Sequence, residues 1–373
     1  VKARAYAYTA ATAELVGVPL CAAVAAAIIF GVVVAILGVD PLQVYGLMWL
    51  GGFGTWFSWQ NTLVRAAPLL LTALCFALPA QMGFAIIGGE GAFIMGGLAA
   101  SLASLVAPAA PMPVMLGLMA IAGCAAGAVV VGISGCLRVF RGVNETISSL
   151  LMTYLSIAVF NQLVEGPFRD HSDLDQASTL PIPDQGVIGD IPGTSVHWGL
   201  AVGVVACLIA TLVIYRTGLG FAMRVLGGNG RAARMVGISA ARLTVGVFCA
   251  AGAMAGLGGM IDASAVDGRA NNSLIAGYGY TGIFVSFIAR QNPLLIMPVA
   301  LLLGGIGASG GLVQRRTGLP YASVLVLQGV IFLCVLVAET LRGRGPLGRW
   351  RQTMVLVPDP LADPLAETEE ASP

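Results

Sequence analysis

Nine long stretches of this sequence carry no Asp, Glu, Lys or Arg: 15–38, 66–89, 91–137, 146–164, 191–215, 243–261, 270–289, 291–314 and 317–338. A helix advances about 1.5 Å per residue, so a hydrocarbon core of about 30 Å takes roughly 20 apolar residues to cross. Pro108, Pro111 and Pro113 divide 91–137 in two, which gives ten expected crossings. The helix within 66–89 is expected to end before Gly88, and within 270–289 only the part after Gly279 reads as helix. Composition agrees: 10% of the residues are charged and 57% hydrophobic, against roughly 25% charged in an ordinary soluble chain. The sequence is that of an all-α membrane protein.

The stretch 41–64 is also uncharged, but it holds Gln43, Gln60 and Asn61 together with Trp49, Trp56 and Trp59. That mixture suits the membrane–water interface, so it is read as lying there and not as crossing. Sidedness follows from arginine placement, because short translocated loops avoid Lys and Arg. Lys2 and Arg4; Arg138 and Arg141; Arg216, Arg224, Arg231, Arg234 and Arg242; and Arg342, Arg344, Arg349 and Arg351 all share one side of a ten-span chain with both termini cytoplasmic. Arg65, Arg269, Arg315 and Arg316 are left outside. The opposite loop, 165–195, sets Glu165, Asp170, Asp173, Asp175, Asp184 and Asp190 against Arg169 alone. The expected layout is a cytoplasmic segment 1–14, a transmembrane domain 15–340 containing the outer loop 165–195 and a basic cytoplasmic loop 216–242, and a cytoplasmic tail 341–373. Prolines and acids make that tail mostly disordered. The first apolar run is too long for a cleaved signal peptide, and a chain opening on Val1 is expected to have lost its natural start.

Several chemistries are excluded. Lys2 is the only lysine, so there is no Walker A lysine and no P-loop ATPase in this chain. The only histidines, His171 and His197, cannot make an H-E-x-x-H zinc site. Cys21, Cys75, Cys124, Cys136, Cys207, Cys249 and Cys334 all lie in apolar runs without C-x-x-C spacing and read as small hydrophobes. A net charge of +1 spreads no basic surface for nucleic acid. The segments Gly305-Ile306-Gly307-Ala308-Ser309-Gly310 and Gly307 to Gly311 satisfy G-x-G-x-x-G and G-x-S-x-G, but they end a membrane span and are read as packing glycines.

Five spans per half start the second half on the opposite side, the arithmetic of an inverted repeat. Each half has a glycine-rich break at its third span: Gly88-Gly89-Glu90-Gly91, and Gly277-Tyr278-Gly279-Tyr280-Thr281-Gly282. Irregular backbone at membrane depth is tolerated where it is buried in protein or lines a cavity. Gly88, Gly89, Glu90, Gly279 and Tyr280 are therefore candidates for a translocation pathway. The simpler reading is close helix packing, as in Gly123-x-x-x-Gly127 and Gly252-x-x-x-Gly256. Glu90 at mid-membrane would cost about 2.5–3.5 kcal/mol, more than the roughly 0.3–1 kcal/mol that a helix N-terminus returns, so it requires a cavity, a polar partner or an interface. Asn144 and Glu145 open span 5 and complete the pathway candidates, although an N-cap Asn and a first-turn Glu account for them structurally. Asp262 and Asp267 read as solvated residues of the loop after span 7.

Within 216–242, Gly227-Gly228-Asn229-Gly230-Arg231-Ala232-Ala233-Arg234-Met235-Val236-Gly237-Ile238 reads as one short helix. Asn229 is its N-cap and Gly237 its C′ residue. Ala232 and Ala233 permit close approach of another backbone, so the segment has the makings of a rigid handle; the alternative is a basic loop held at the lipid surface.

This segment resembles the coupling loop of bacterial ABC-importer permeases of the simple-sugar and nucleoside (branched-chain-type) family, with its G-x-N-x-x-A-A-x-x-x-G-I pattern. Gly88–Gly91 with Ala92 and Phe93, Gly142-Val143-Asn144-Glu145-Thr146-Ile147-Ser148-Ser149-Leu150, and Gly277–Gly282 followed by Ala289-Arg290-Gln291-Asn292-Pro293 fall in the family's order. The resemblance covers roughly 40–340. It implies a type II importer-like fold in the bacterial inner membrane and no catalysis by this chain. It also implies a second permease, identical or homologous, an extracytoplasmic binding protein docking on the outer loop, and ATPase subunits that grip Asn229, Arg231, Ala232, Ala233, Arg234 and Gly237. No cofactor is expected on this chain, with ATP and Mg bound by the ATPase. The acidic outer loop and the Asn-Glu start of span 5 look most like the nucleoside branch. Ile86 and Ala92 stand where the family commonly has Asn and Gln around the G-G-E-G turn, and Gly230-Arg231 replaces a frequent Pro-Glu. An ion-coupled secondary transporter working without an ATPase is the competing reading, since inverted repeats, broken helices and an intramembrane acid suit it too.

Overall fold

The computed structural model describes residues 22–171 and 177–341. The expectations for 1–14 and for the tail beyond Leu341 lie outside the described residues. The chain divides into two compact units, Gly31–Gly329 and the two chain ends, Val1–Phe30 with Val330–Pro373. In the ends, the described residues are the first part of helix α1 (Ala22–Ile36) and the last part of α13 (Ala322–Leu341).

Between them run α2 (Pro41–Trp49), α3 (Trp56–Ala80), α4 (Gly89–Val106), α5 (Met112–Arg141), α6 (Glu145–Glu165), α7 (Gly199–Arg216), α8 (Gly218–Gly228), α9 (Gly230–Met235), α10 (Ala240–Asp262), α11 (Tyr278–Ile288) and α12 (Pro293–Thr317). Among the described residues there is no sheet, only isolated bridges pairing Ser178 with Asn271 and Asp190 with His197. Among the described residues seven helices are long and apolar enough to cross a membrane: α3 to α7, α10 with its extension to Asp267, and α12. α1 and α13 carry shorter apolar runs. α11 has 11 residues, about 16 Å at the α-helical rise, which is half a bilayer.

Two boundaries differ from expectation. The crossing placed at 66–89 runs from Trp56 to Ala80, because Thr55 caps a helix that continues straight through Arg65: the Thr55 side chain accepts from the Ser58 N–H at 3.0 Å. Arg65 is therefore inside a membrane helix and not in an outer loop. The stretch 41–64 does not cross by itself. Its first part is the nine-residue α2 with a π-helical turn, Leu50–Gly54, and its last part belongs to α3.

α10 is the centre of the longer unit, packed on α3, α4 and α5, while α3 also packs on α7, α11 and α12. Glycine permits this. A methyl added at Gly127 would lie 2.9 Å from Gly256 Cα, and one at Gly123 3.1 Å from Gly256 O. The two G-x-x-x-G segments thus face each other at backbone contact, where dispersion between small residues replaces the hydrophobic drive that lipid does not supply. Gly305 and Gly310 likewise seat the rings of Phe53 and Tyr321, so these two glycines of the rejected patterns are packing sites.

The long 166–198 segment is stitched to the chain that follows α10. Thr179 N–H donates to Ala270 O at 2.9 Å, Ile182 N–H to Gly268 O at 2.8 Å, and Ser264 Oγ to Gly186 O at 2.7 Å. Asp170, Ser178, Thr179, Ile182 and His197 are buried. Asp262, expected in a solvated loop, is the last residue of α10 and 3% exposed. The reason is that α10 runs on to Asp262 and continues as a π-helical turn to Asp267, so the residue lies on a packed helix and not in a loop.

Candidate functional site

The two glycine breaks meet at Glu90. Gly277 N–H donates to its Oε1 at 3.0 Å and Gly279 N–H to its Oε2 at 2.6 Å. Glu90 is the second residue of α4, and Gly277 is the N-cap of α11. One carboxylate therefore sits at two helix N-termini 187 residues apart in the chain. Gly277 has φ +83°, a left-handed conformation glycine reaches without strain, and that turn aims the first free N–H groups of α11 at the acid. Glu90 is fully buried, so of the three possible supports it has the polar partner. Hydrogen bonds to a charged group contribute roughly 1.5–3 kcal/mol each, and two of them are enough to offset an insertion cost of about 2.5–3.5 kcal/mol. Gly88 packs on Ser149 and Gly89 on the Phe76 ring; Tyr280 is partly exposed.

Asn144 and Glu145 stand apart from that contact. The Asn144 side chain caps α6, accepting from Thr146 N–H at 2.9 Å and Ile147 N–H at 3.2 Å. Glu145 pairs with Arg138 at 3.4 Å, and the Arg138 guanidinium lies 5.6 Å from the Phe84 ring centre.

The short helix expected around 229–237 is α9. Asn229 Oδ1 accepts from Arg231 N–H at 2.9 Å and Ala232 N–H at 3.2 Å. Gly237, at φ +82°, closes it: Gly237 N–H donates to Arg234 O and Ile238 N–H to Ala233 O, the paired bonds of a Schellman ending. Ala233 is fully buried, so it is not part of the surface another chain would meet. That surface is Arg231, Arg234, Met235 and Val236, the last two 83% and 68% exposed. Met235 and Val236 were not singled out in the sequence; two exposed apolar residues beside a capped turn were the available signal. A preceding helix, α8, capped by Thr217, carries the peg. Its end rests on the turn after α3, where a methyl on Gly227 would lie 2.7 Å from Gln81 O. Gln81 Nε2 in turn donates to Gln291 O at 3.0 Å, between α11 and α12. The turns at 81–83, 227–230 and 289–292 are thereby linked.

Polar residues missed in the sequence form a second cluster. A small cavity of about 30 Å³ is lined in part by Arg65, Tyr278, Thr281, Tyr321 and Gln328. A groove of about 1110 Å³ lies between α7 and α10 and is lined by apolar side chains apart from Trp198, Ser239 and Arg242, which suits lipid and not a polar solute. Near the opposite end from α9, burial pushes the His197 imidazole below its usual value, with the Val64 carbonyl and Asp190 pulling weakly the other way.

Residues 58–336 match the family described as branched-chain amino acid transport system / permease component. The chain belongs to that family. A glucose ABC transporter permease of Haloferax volcanii is 33% identical over 337 residues, 87% of each chain. A nucleoside ABC transporter permease of Lactococcus lactis subsp. cremoris is 26% identical over 331 residues, covering 86% of this chain and 90% of its own. A guanosine ABC transporter permease of Bacillus subtilis is 26% identical over 330 residues, covering 87% and 94%. The protein is an ABC transporter permease of the simple-sugar and nucleoside type, a multi-pass membrane transport subunit.

Proposed function

We propose that this permease imports a nucleoside or simple sugar across the cytoplasmic (inner) membrane, driven by separate ATPase subunits that bind ATP and Mg and grip α9. A second permease, identical or homologous, completes the pathway, and an extracytoplasmic binding protein delivers cargo to the outer loop 165–195. Both termini are cytoplasmic in this reading, and ten crossings form two inverted halves. Packing supports the halves: α3 lies on α12 as α10 lies on α5, and α4 on α10 as α11 lies on α3.

The observation that carries the reading is the Glu90 contact between the two breaks. It joins the starts of α4 and α11, near Gly88, Gly89, Gly279 and Tyr280, which supports reading these two helices as the third spans of matching halves. The linked turns at Gln81, Gly227 and Gln291 give a push on α9 a route to α3, α11 and α12 through the chain, the packing of Gly227 on Gln81 and the hydrogen bond from Gln81 to Gln291. Family membership favours the ATP-driven reading over an ion-coupled carrier. The test is uptake of labelled guanosine, uridine and glucose by proteoliposomes holding the co-purified complex and its binding protein. Uptake should require ATP inside the compartment where the ATPases sit. Uptake on an ion gradient alone, or none of the three solutes transported, would refute it.

A further inference from the structure

Resting on the reading that the cargo is polyhydroxylated, we propose that Arg65, Tyr278, Thr281, Tyr321 and Gln328, with Asp262 as counter-charge, form a hydroxyl-recognition site inside the permease. The site takes a ribose or sugar hydroxyl of the cargo as it passes.

An ionisable group in a membrane helix is expensive and is normally held by partners. Here two are not. Among the described residues no hydrogen bond or ion pair holds the Arg65 guanidinium, which carries five donors. The Asp262 carboxylate is 3% exposed and its Oδ1 has no hydrogen-bond partner. The two act on each other electrostatically and both act on the Tyr278 hydroxyl, yet they do not close into an ion pair within 4 Å. A guanidinium and a buried acid that do not close on each other leave hydrogen-bonding capacity that a ligand can use.

The cavity that Arg65 lines sets the ligand's size. Its 30 Å³ holds one water-sized group, which is a hydroxyl and not a whole sugar. The lining sets its chemistry. Gln328 Nε2 donates to Leu303 O at 3.2 Å, leaving its amide oxygen to accept. A hydroxyl can accept from Arg65 and donate to Gln328 or Tyr278 at once; an apolar group can do neither. Gly307 keeps this side clear: a methyl there would lie 3.8 Å from Gln328 Nε2 and 3.9 Å from Tyr321 Oη, in ordinary contact but inside the free space.

The experiment compares saturating uptake of uridine and its 2′-, 3′- and 5′-deoxy forms, and of glucose and 2-deoxyglucose, by the full reconstituted complex. Variants are Arg65→Gln, Tyr278→Phe and Gly307→Ala. A site built to bond a hydroxyl discriminates strongly against the analogue lacking it. We expect the wild type to prefer a hydroxylated cargo over one deoxy form, and each variant to shrink that preference by about tenfold or more. Wild type transporting none of guanosine, uridine and glucose would overturn the proposed function, and this site with it. Wild-type transport with the preference unchanged in the variants, or with parent and deoxy forms slowed in equal proportion, would overturn the site alone. If Arg65→Gln fails to assemble, Gly307→Ala, which adds no clash, decides by the same ratio.

Discussion

Replacing Gly279 with Ala tests the joint between α4 and α11. The new methyl would sit 2.7 Å from Glu90 Oε2 and nearer still to the Glu90 backbone nitrogen and Cα. Backbone cannot rotate away as a side chain can, so the two segments must part by roughly 1 Å to regain ordinary contact. A parting of that size stretches the 2.6 Å bond from Gly279 N–H to Glu90 to about 3.6 Å, which is no longer a hydrogen bond. Two bonds to a charged group are then lost or weakened, for a cost of roughly 3–6 kcal/mol. The matched control is Gly117→Ala in α5, where an added methyl meets nothing within 4 Å and alanine is the better helix former by up to about 1 kcal/mol. Thermal unfolding of both variants, followed by tryptophan fluorescence in one detergent, should separate them by on the order of 5–10 °C, with Gly279→Ala the lower. Midpoints within a degree or so of each other would mean that the Glu90 joint does not hold the fold, and the reasoning from it would fail.

Asp262→Asn replaces a buried acid whose Oδ1 has no hydrogen-bond partner and should raise the unfolding midpoint by a few degrees while slowing transport; a lowered midpoint would show that the acid is satisfied in the fold. Asn229→Ala should cost α9 about 1 kcal/mol, seen as faster hydrogen exchange confined to 231–238, with weaker ATPase assembly; unchanged exchange there would refute the cap's role. His197, held neutral by burial, has its folded pKa below the unfolded value near 6.5. The unfolded chain therefore binds the proton first, and stability is full above about pH 6.5 and falls as pH drops below it. Comparing unfolding midpoints at pH 7.5 and 5.5 for wild type and His197→Gln checks this, and equal pH slopes in the two would count against it.

Features set by neighbours in sequence were readable. Asn229 and Gly237 bound α9 because capping is a local bargain between a side chain and the next few N–H groups, and the same holds for Asn144. The two glycine breaks were readable for the same reason. Their meeting was not, since nothing in Gly277–Gly282 announces that its N–H groups will face a carboxylate far back in the chain. Arg65 was misplaced because a charge interrupts a hydropathy run, whereas in the fold it faces a polar cavity that lets α3 continue. Asp262 reads as a loop residue because a charge ends an apolar run, whereas in the fold α10 continues through it to Asp267. Ala233 points inward in a helix of six residues, too short for a 3.6-residue period to reveal its buried side.

The acid at residue 90 also restricts how the protein can move. A carboxylate bound through both oxygens to two backbone amides cannot slide along them without breaking one, but it tolerates small changes of angle. Any displacement of α4 against α11 must therefore swing about this point, as a beam swings on its fulcrum, and the largest excursions fall at the far ends of the helices.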